Sequence, residues 1–346
     1  MKIKILTLVF ILLSLHNIAY AESDAAMATD IAAFIDEYPI PSYNVNDSTY
    51  ILAESLINYG FTVIWNHDER TLKITRSGEY YYQMPSKDEI NILKSDIPVG
   101  TKIFDVYKTD IKVYLDDESV ECIRIDGSML IKFRELSRYG YVNFSEKTRQ
   151  AKAEIIMAEL DRAYEAAEKQ EIKLSESSTY IGEVLDGKPN GIGKITSEEE
   201  VNLKTYEYSW HTKTTYTYTS DIFTSLKSLT FGYFKNGELD GIVYKNHDKI
   251  GSYNPGGAHR YFEVKENYWG YSNYVNGVLD GIYQLTKWAQ QYETTDDFFR
   301  YYFQCTNGMM NGIRYNARYD KDYLYDLNIY VITEDENEDF PSHLIY

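Results

Sequence analysis

The sequence predicts an α+β chain: two small α/β modules, a connecting amphipathic helix, then an antiparallel β-hairpin array. Three observations carry this. A segment ending in Tyr-Gly occurs at 40–60 and again at 120–140. Apolar residues adopt helical spacing after Ser145. A Gly-x-x-Asx-Gly-Ile signature then returns four times. Composition leans towards strands, with 35 Tyr against 14 Phe. Tyr has an apolar ring and a polar tip, which suits half-exposed sheet faces.

The chain opens on Met-Lys-Ile-Lys, an apolar run from Ile5 to Leu15, and Ala19-Tyr20-Ala21. That is the pattern of a signal peptide over 1–21, cleaved after Ala21, and it implies a secreted or envelope protein. The run is short for a membrane span, and no later stretch is apolar enough, so no integral span is expected after cleavage. The 346 residues allow two or three domains, and the net charge of −18 repels nucleic acid and anionic lipid. Cys122 and Cys305 fall in different expected domains and read as small buried hydrophobes.

In the first repeat Tyr43 matches Ile123, Val45 matches Ile125, Ile51 matches Ile131 and Leu56 matches Leu136. Asn46-Asp47 and Asp126-Gly127 stand where a two-residue hairpin turn belongs. A short strand and a short helix follow each turn, ending at Gly60 and Gly140. Phe61-Thr-Val-Ile-Trp65 and Tyr141-Val-Asn-Phe144 then read as strands, and Arg70-Thr-Leu-Lys-Ile74 as a returning strand. The pattern resembles the copper amine oxidase N-terminal-like (stalk) domain, with copies at 34–76 and 103–153. The resemblance implies a small α/β spacer module without copper or quinone. The second copy has Phe144 where that family favours Trp.

Ala151, Ile155, Ile156, Leu160, Tyr164 and Ala167 recur among Lys, Glu, Asp and Arg, which predicts one amphipathic helix over 145–173. The array is expected over 178–332, and an acidic tail over 333–346. Tyr180-Ile-Gly-Glu-Val-Leu-Asp-Gly-Lys-Pro-Asn-Gly-Ile-Gly193 resembles a MORN repeat, and three degenerate copies end at Ile242, Ile282 and Ile313. The first Asx-Gly supplies the positive φ of a tight reversal. The second lets backbones approach closely. Gly187, Gly191, Gly237, Gly241, Gly277, Gly281, Gly308 and Gly312 are therefore structural turn residues. The inserts at 197–228 and 245–268 are open between strand and loop.

Catalytic chemistry is not legible. Gly187 to Lys194 imitates a phosphate loop but has one residue too many between its glycines, and Ile195 stands where a magnesium-binding hydroxyl belongs. The His residues lack metal spacing, no Gly-x-Ser-x-Gly elbow occurs, and the turns lack alternating calcium ligands. No catalytic, cofactor or metal residues are assigned. Tyr208, Trp210, Tyr216, Tyr218, Tyr268, Trp269 and Tyr271 are the candidates for an aromatic platform taking sugar rings or peptide, against ordinary sheet packing. The expectation is a non-catalytic exported scaffold or binding protein that contacts a protein or cell-wall polymer. The alternative is an envelope hydrolase or modifying enzyme with a carboxylate/Tyr site.

Overall fold

A computed structural model describes residues 24–79, 97–146, 148–202, 205–209, 214–218, 223–253, 262–291, 295–306, 309–320 and 323–332. Within these, side chains are described outside 200–224, 251–264, 287–301, 303 and 306–332. The expected signal peptide and acidic tail lie outside the described residues.

The first repeat runs β1 (Ala25–Met27), β2 (Ala32–Ile35), β3 (Tyr38–Ile40), β4 (Ser42–Val45), β5 (Ser48–Leu52), a 3-10 turn (Glu54–Tyr59), β6 (Phe61–Asn66) and β7 (Thr71–Arg76). The second runs β8 (Lys102–Asp105), β9 (Lys112–Leu115), β10 (Glu118–Val120), β11 (Cys122–Ile125), β12 (Ser128–Lys132), a 3-10 turn (Phe133–Arg138), β13 (Tyr141–Ser145) and β14 (Gln150–Glu154). The order of elements is the same in both, and most equivalent residues lie eighty positions apart, as Asp30 and Asp110 do.

The repeats are not two modules. β7 of the first pairs in parallel with β9 of the second, and β14 of the second pairs in parallel with β2 of the first. Two four-stranded sheets result, β10-β9-β7-β6 and β13-β14-β2-β3, each built from both repeats. Between them β5 pairs antiparallel with its equivalent β12, in the six-stranded order β11-β12-β5-β4-β1-β8. A bridge from Tyr107 to Arg124 joins the two ends of that order, closing a small barrel. Its interior is Ala26 with Val106, Val45 with Ile125, and Tyr50 with Leu130, three pairs of equivalent positions.

The exchange is held by matched contacts. Arg70 makes a two-pronged ion pair with Asp110 (2.6 and 2.7 Å), and Arg149 makes one with Asp30 (2.8 and 3.0 Å). Ser42 Oγ donates to the Ile31 carbonyl, and Cys122 Sγ donates to the Ile111 carbonyl. Cys122 is thus the equivalent of a serine, half-buried in a strand.

The expected α+β class is overturned: the chain is mostly β, with several antiparallel sheets. Among the described residues the helical segments are the two 3-10 turns and α1 (Ile155–Ala166). The helix expected over 145–173 shrinks to α1. Gln150–Glu154 has helix-forming residues, yet its backbone pairs with β13 on one side and β2 on the other, with Ala151 and Ala153 buried on one face, and pairing overrides propensity. Past Ala167, which is extended at φ −78° and ψ 148°, the chain becomes β15 (Gln170–Lys173).

The remaining strands are β16 (Ser178–Leu185), β17 (Lys188–Asn202), β18 (Thr205–Ser209), β19 (Thr214–Tyr218), β20 (Phe223–Lys235), β21 (Glu238–Tyr253), β22 (Phe262–Val275), β23 (Val278–Gln291), β24 (Thr295–Thr306), β25 (Met309–Asp320) and β26 (Tyr323–Ile332). Nine of them, together with β15, form one antiparallel meander of ten strands, β15-β16-β17-β20-β21-β22-β23-β24-β25-β26. The insert at 197–228 lengthens β17 and β20 and adds the separate β18–β19 ribbon. The insert at 245–268 lengthens β21 and β22. The sheet does not stand apart: Ile192, Phe231, Ile242, Tyr271, Ile282 and Tyr302 join Ile35, Tyr38, Ile155 and Leu160 in one buried cluster.

Candidate binding surfaces

The recurring turns come first, because they set where everything else on the sheet stands. Asp186-Gly187, Asn236-Gly237 and Asn276-Gly277 each place two successive residues at positive φ, between 48° and 94°. That is the hairpin turn whose twist matches its flanking strands. The second Asx of each unit then clamps the next turn. Asn190 Oδ1 accepts the Asn236 N–H (3.3 Å), and Asp240 Oδ1 accepts the Asn276 N–H (2.8 Å). The Pro189 and Leu239 carbonyls accept the Gly237 and Gly277 N–H groups.

The following glycine has its own reason. Register slips at Gly182/Val184, Gly232/Phe234 and Ser272/Tyr274, one bulge per unit. The bulge side chains Glu183, Tyr233 and Asn273 lie over Gly191, Gly241 and Gly281. A Cβ on Gly191 would collide with the Glu183 carboxylate, which also accepts the Ile192 N–H at 2.8 Å. Gly308 lies outside the described residues, and Gly312 is described only as backbone in β25.

Among the described side chains, the aromatic candidates of β22 do not share one surface. Tyr271 is 3% exposed, in the shared core, with its ring 5.4 Å from Tyr244. Tyr268 is 7% exposed, donates its hydroxyl to Glu266 (2.7 Å) and lies under Lys249. Their spacing along β22 puts them on opposite faces. Trp269 is half-buried. Tyr208, Tyr216 and Tyr218 belong to the β18–β19 ribbon, opposite Thr215, Glu207 and Thr205. Trp210 lies outside the described residues.

Acids and tyrosines converge instead at the seam between the intertwined unit and the sheet. Asp36 Oδ1 accepts the Ile155 and Ile156 N–H groups (2.7 and 2.9 Å), so a turn of the first repeat caps the helix that follows the second. Lys152 donates to Glu37 Oε1 at 2.6 Å. The Tyr302 hydroxyl donates to the Glu37 carbonyl, and its ring meets Tyr38 at 4.7 Å. Burial, reinforced by Glu37, raises the Glu154 carboxyl above the usual range. Burial pushes the Tyr244 phenol up to about 12 and the Cys305 thiol up to about 12, far from a reactive thiolate. It also raises Tyr271, with Asp36 and Glu154 adding to the effect.

A depression of about 280 Å³ lies on the far part of β20–β22. Lys227, Lys249 and Lys265 line it with Asp248 and Glu266, and Glu198 pairs with Lys227 at 3.0 Å. These charges offset one another, so the depression has no preference for an anion. Among the described residues no three His, Cys, Asp or Glu side chains are placed to hold a metal, and no helix is long and apolar enough to cross a membrane.

Sequence reasoning passed over the Arg–Asp pairs, the Asp36 cap and the Asx clamp. The first had a signal: Thr29-Asp-Ile31 and Thr109-Asp-Ile111 are the same tripeptide eighty residues apart. The clamp was hidden because its donor lies in the next unit. Set against known proteins, the chain matches no protein-family model, no curated protein and no solved structure.

Proposed function

We propose that this chain is a non-catalytic binding or scaffold protein, exported to a bacterial envelope, where its hairpin array contacts a protein or a cell-wall polymer. The observation that carries the reading is the shared core, in which residues of a long single meander are buried with those of the intertwined base. A wide β surface held in this way suits presentation to an extended partner. The resemblances to the copper amine oxidase N-terminal-like domain and to MORN repeats, and the signal-peptide pattern, support the same reading. The strong negative charge weighs against nucleic acid as partner.

The hydrolase alternative would draw on the seam, where acids and tyrosines meet. There Asp36 serves as a helix cap and Glu37 as an ion-pair partner, which are structural uses.

The test is retention of the secreted chain on purified cell wall, compared with a chain whose ribbon is replaced by a short turn. The ribbon carries Tyr208, Tyr216 and Tyr218, and the register of β17 with β20 continues without it. Retention that falls when the ribbon is removed supports contact through those rings. A full chain that neither stays on wall polymer nor captures an envelope protein rejects the reading.

A further inference from the structure

Two of the hairpin turns place an exposed asparagine directly before glycine, Asn236-Gly237 and Asn276-Gly277. That dipeptide can react with its own backbone. The glycine nitrogen attacks the amide carbon of the asparagine side chain, and glycine has no side chain to hinder the approach. The new N–C bond closes a five-membered imide. The bond to the side-chain NH2 breaks, and ammonia leaves with the proton from the glycine nitrogen. Water then opens the imide at either carbonyl, giving aspartate or isoaspartate.

The two turns are equivalent but unequally shielded, because the shield comes from the preceding hairpin. At Asn276 three hydrogen bonds hold the reacting groups. The Asn276 N–H donates to the Asp240 carboxylate (2.8 Å), the Gly277 N–H to the Leu239 carbonyl (2.8 Å), and Lys235 Nζ to the Asn276 side-chain oxygen (3.2 Å). At Asn236 there are two. The Asn236 N–H donates to a neutral amide, Asn190 Oδ1 (3.3 Å), and the Gly237 N–H to the Pro189 carbonyl (2.9 Å). Among the described residues no side chain binds the Asn236 amide group. A charged acceptor also holds its donor more strongly than a neutral one.

We propose that Asn236 is a site of spontaneous deamidation in the folded chain, and that Asp240 and Lys235 spare its equivalent, Asn276. Ring closure needs the Gly237 nitrogen released from Pro189, which is a local opening of the turn. The aspartate product fits, since Asp186 holds the same place in the first hairpin at φ 50°. The isoaspartate product does not. It carries a side-chain carbon into the backbone and lengthens a two-residue turn between the paired Lys235 and Glu238. The chain therefore ages at one defined turn, where the second hairpin stacks on the first.

Peptide mapping of the full chain, incubated at mildly alkaline pH, tests this by reading aspartate and isoaspartate at each site. The same incubation in urea gives each site's unshielded rate, which removes the effect of flanking residues. Relative to that rate, Asn236 in the folded chain converts about tenfold faster than Asn276, the factor for one or two ordinary hydrogen bonds. Asp240→Ala speeds Asn276 about fivefold, and Asn190→Asp, which copies Asp240, slows Asn236 by a similar factor. Equal relative rates at the two sites overturn the inference. So does an Asn236 that stays intact while the urea control converts, or an Asn276 indifferent to Asp240→Ala.

Discussion

At the scale of single residues, the repeated signature does its work through hydrogen bonds to the neighbouring unit. The Asx residues were legible as turn formers, and their glycines as positive-φ positions. The clamp was not, because a side chain that serves the next hairpin leaves no mark on its own. Asp240→Ala removes the acceptor for the Asn276 amide, and a loss of about 1 kcal/mol is expected from the shift of the urea midpoint. Asp240→Asn keeps an acceptor and should lose less. Glu154 carries a pH signature of known sign. Its carboxyl is raised in the folded chain by burial and by Glu37, so the folded state favours the protonated form. Its contribution is therefore fully present below the ordinary value of 4.5 and lost as pH rises through the raised value. Glu154→Gln should raise stability at neutral pH relative to the parent, and urea midpoints at acid and neutral pH would show the gap closing as pH falls.

At the scale of elements, the hairpins and their turns were readable from period and turn chemistry, while the pairing of distant strands was not. β7 and β14 look like the closing strands of their own repeats, and each is adjacent in sequence to the strand it follows. Nothing local states that each crosses to the other repeat. Gln150–Glu154 misleads further, because alanine, lysine and glutamate favour a helix until pairing with strands on both sides overrides that preference. Inside the array, Gly182, Gly193 and Gly232 pair in register, and the Tyr180 ring lies against Gly193. Gly193→Ala forces a methyl into that ring, and a cost of about 1–3 kcal/mol is expected. Tyr180→Leu should relieve part of it, so the double variant loses less than the sum of the singles in denaturation midpoints.

At the scale of the whole molecule, the sequence divides into modules that the core does not respect. The apolar pattern names which residues are buried, but not that Tyr302 would meet Tyr38 from the other half of the chain. A shared core predicts shared unfolding. Calorimetry should give one transition for the intertwined unit and the strands packed on it, with calorimetric and van't Hoff enthalpies in agreement. Two well-separated transitions would contradict the shared core.

The exchange of strands also decides how the unit bears a load. β2 near its start and β14 near its end are parallel neighbours, so tension between Asp24 and Ala167 drags them past each other lengthwise. All their hydrogen bonds then resist together. The meander's hairpins, pulled at their open ends, yield one rung at a time. Under traction the array peels first, and the intertwined unit behaves as the clasp.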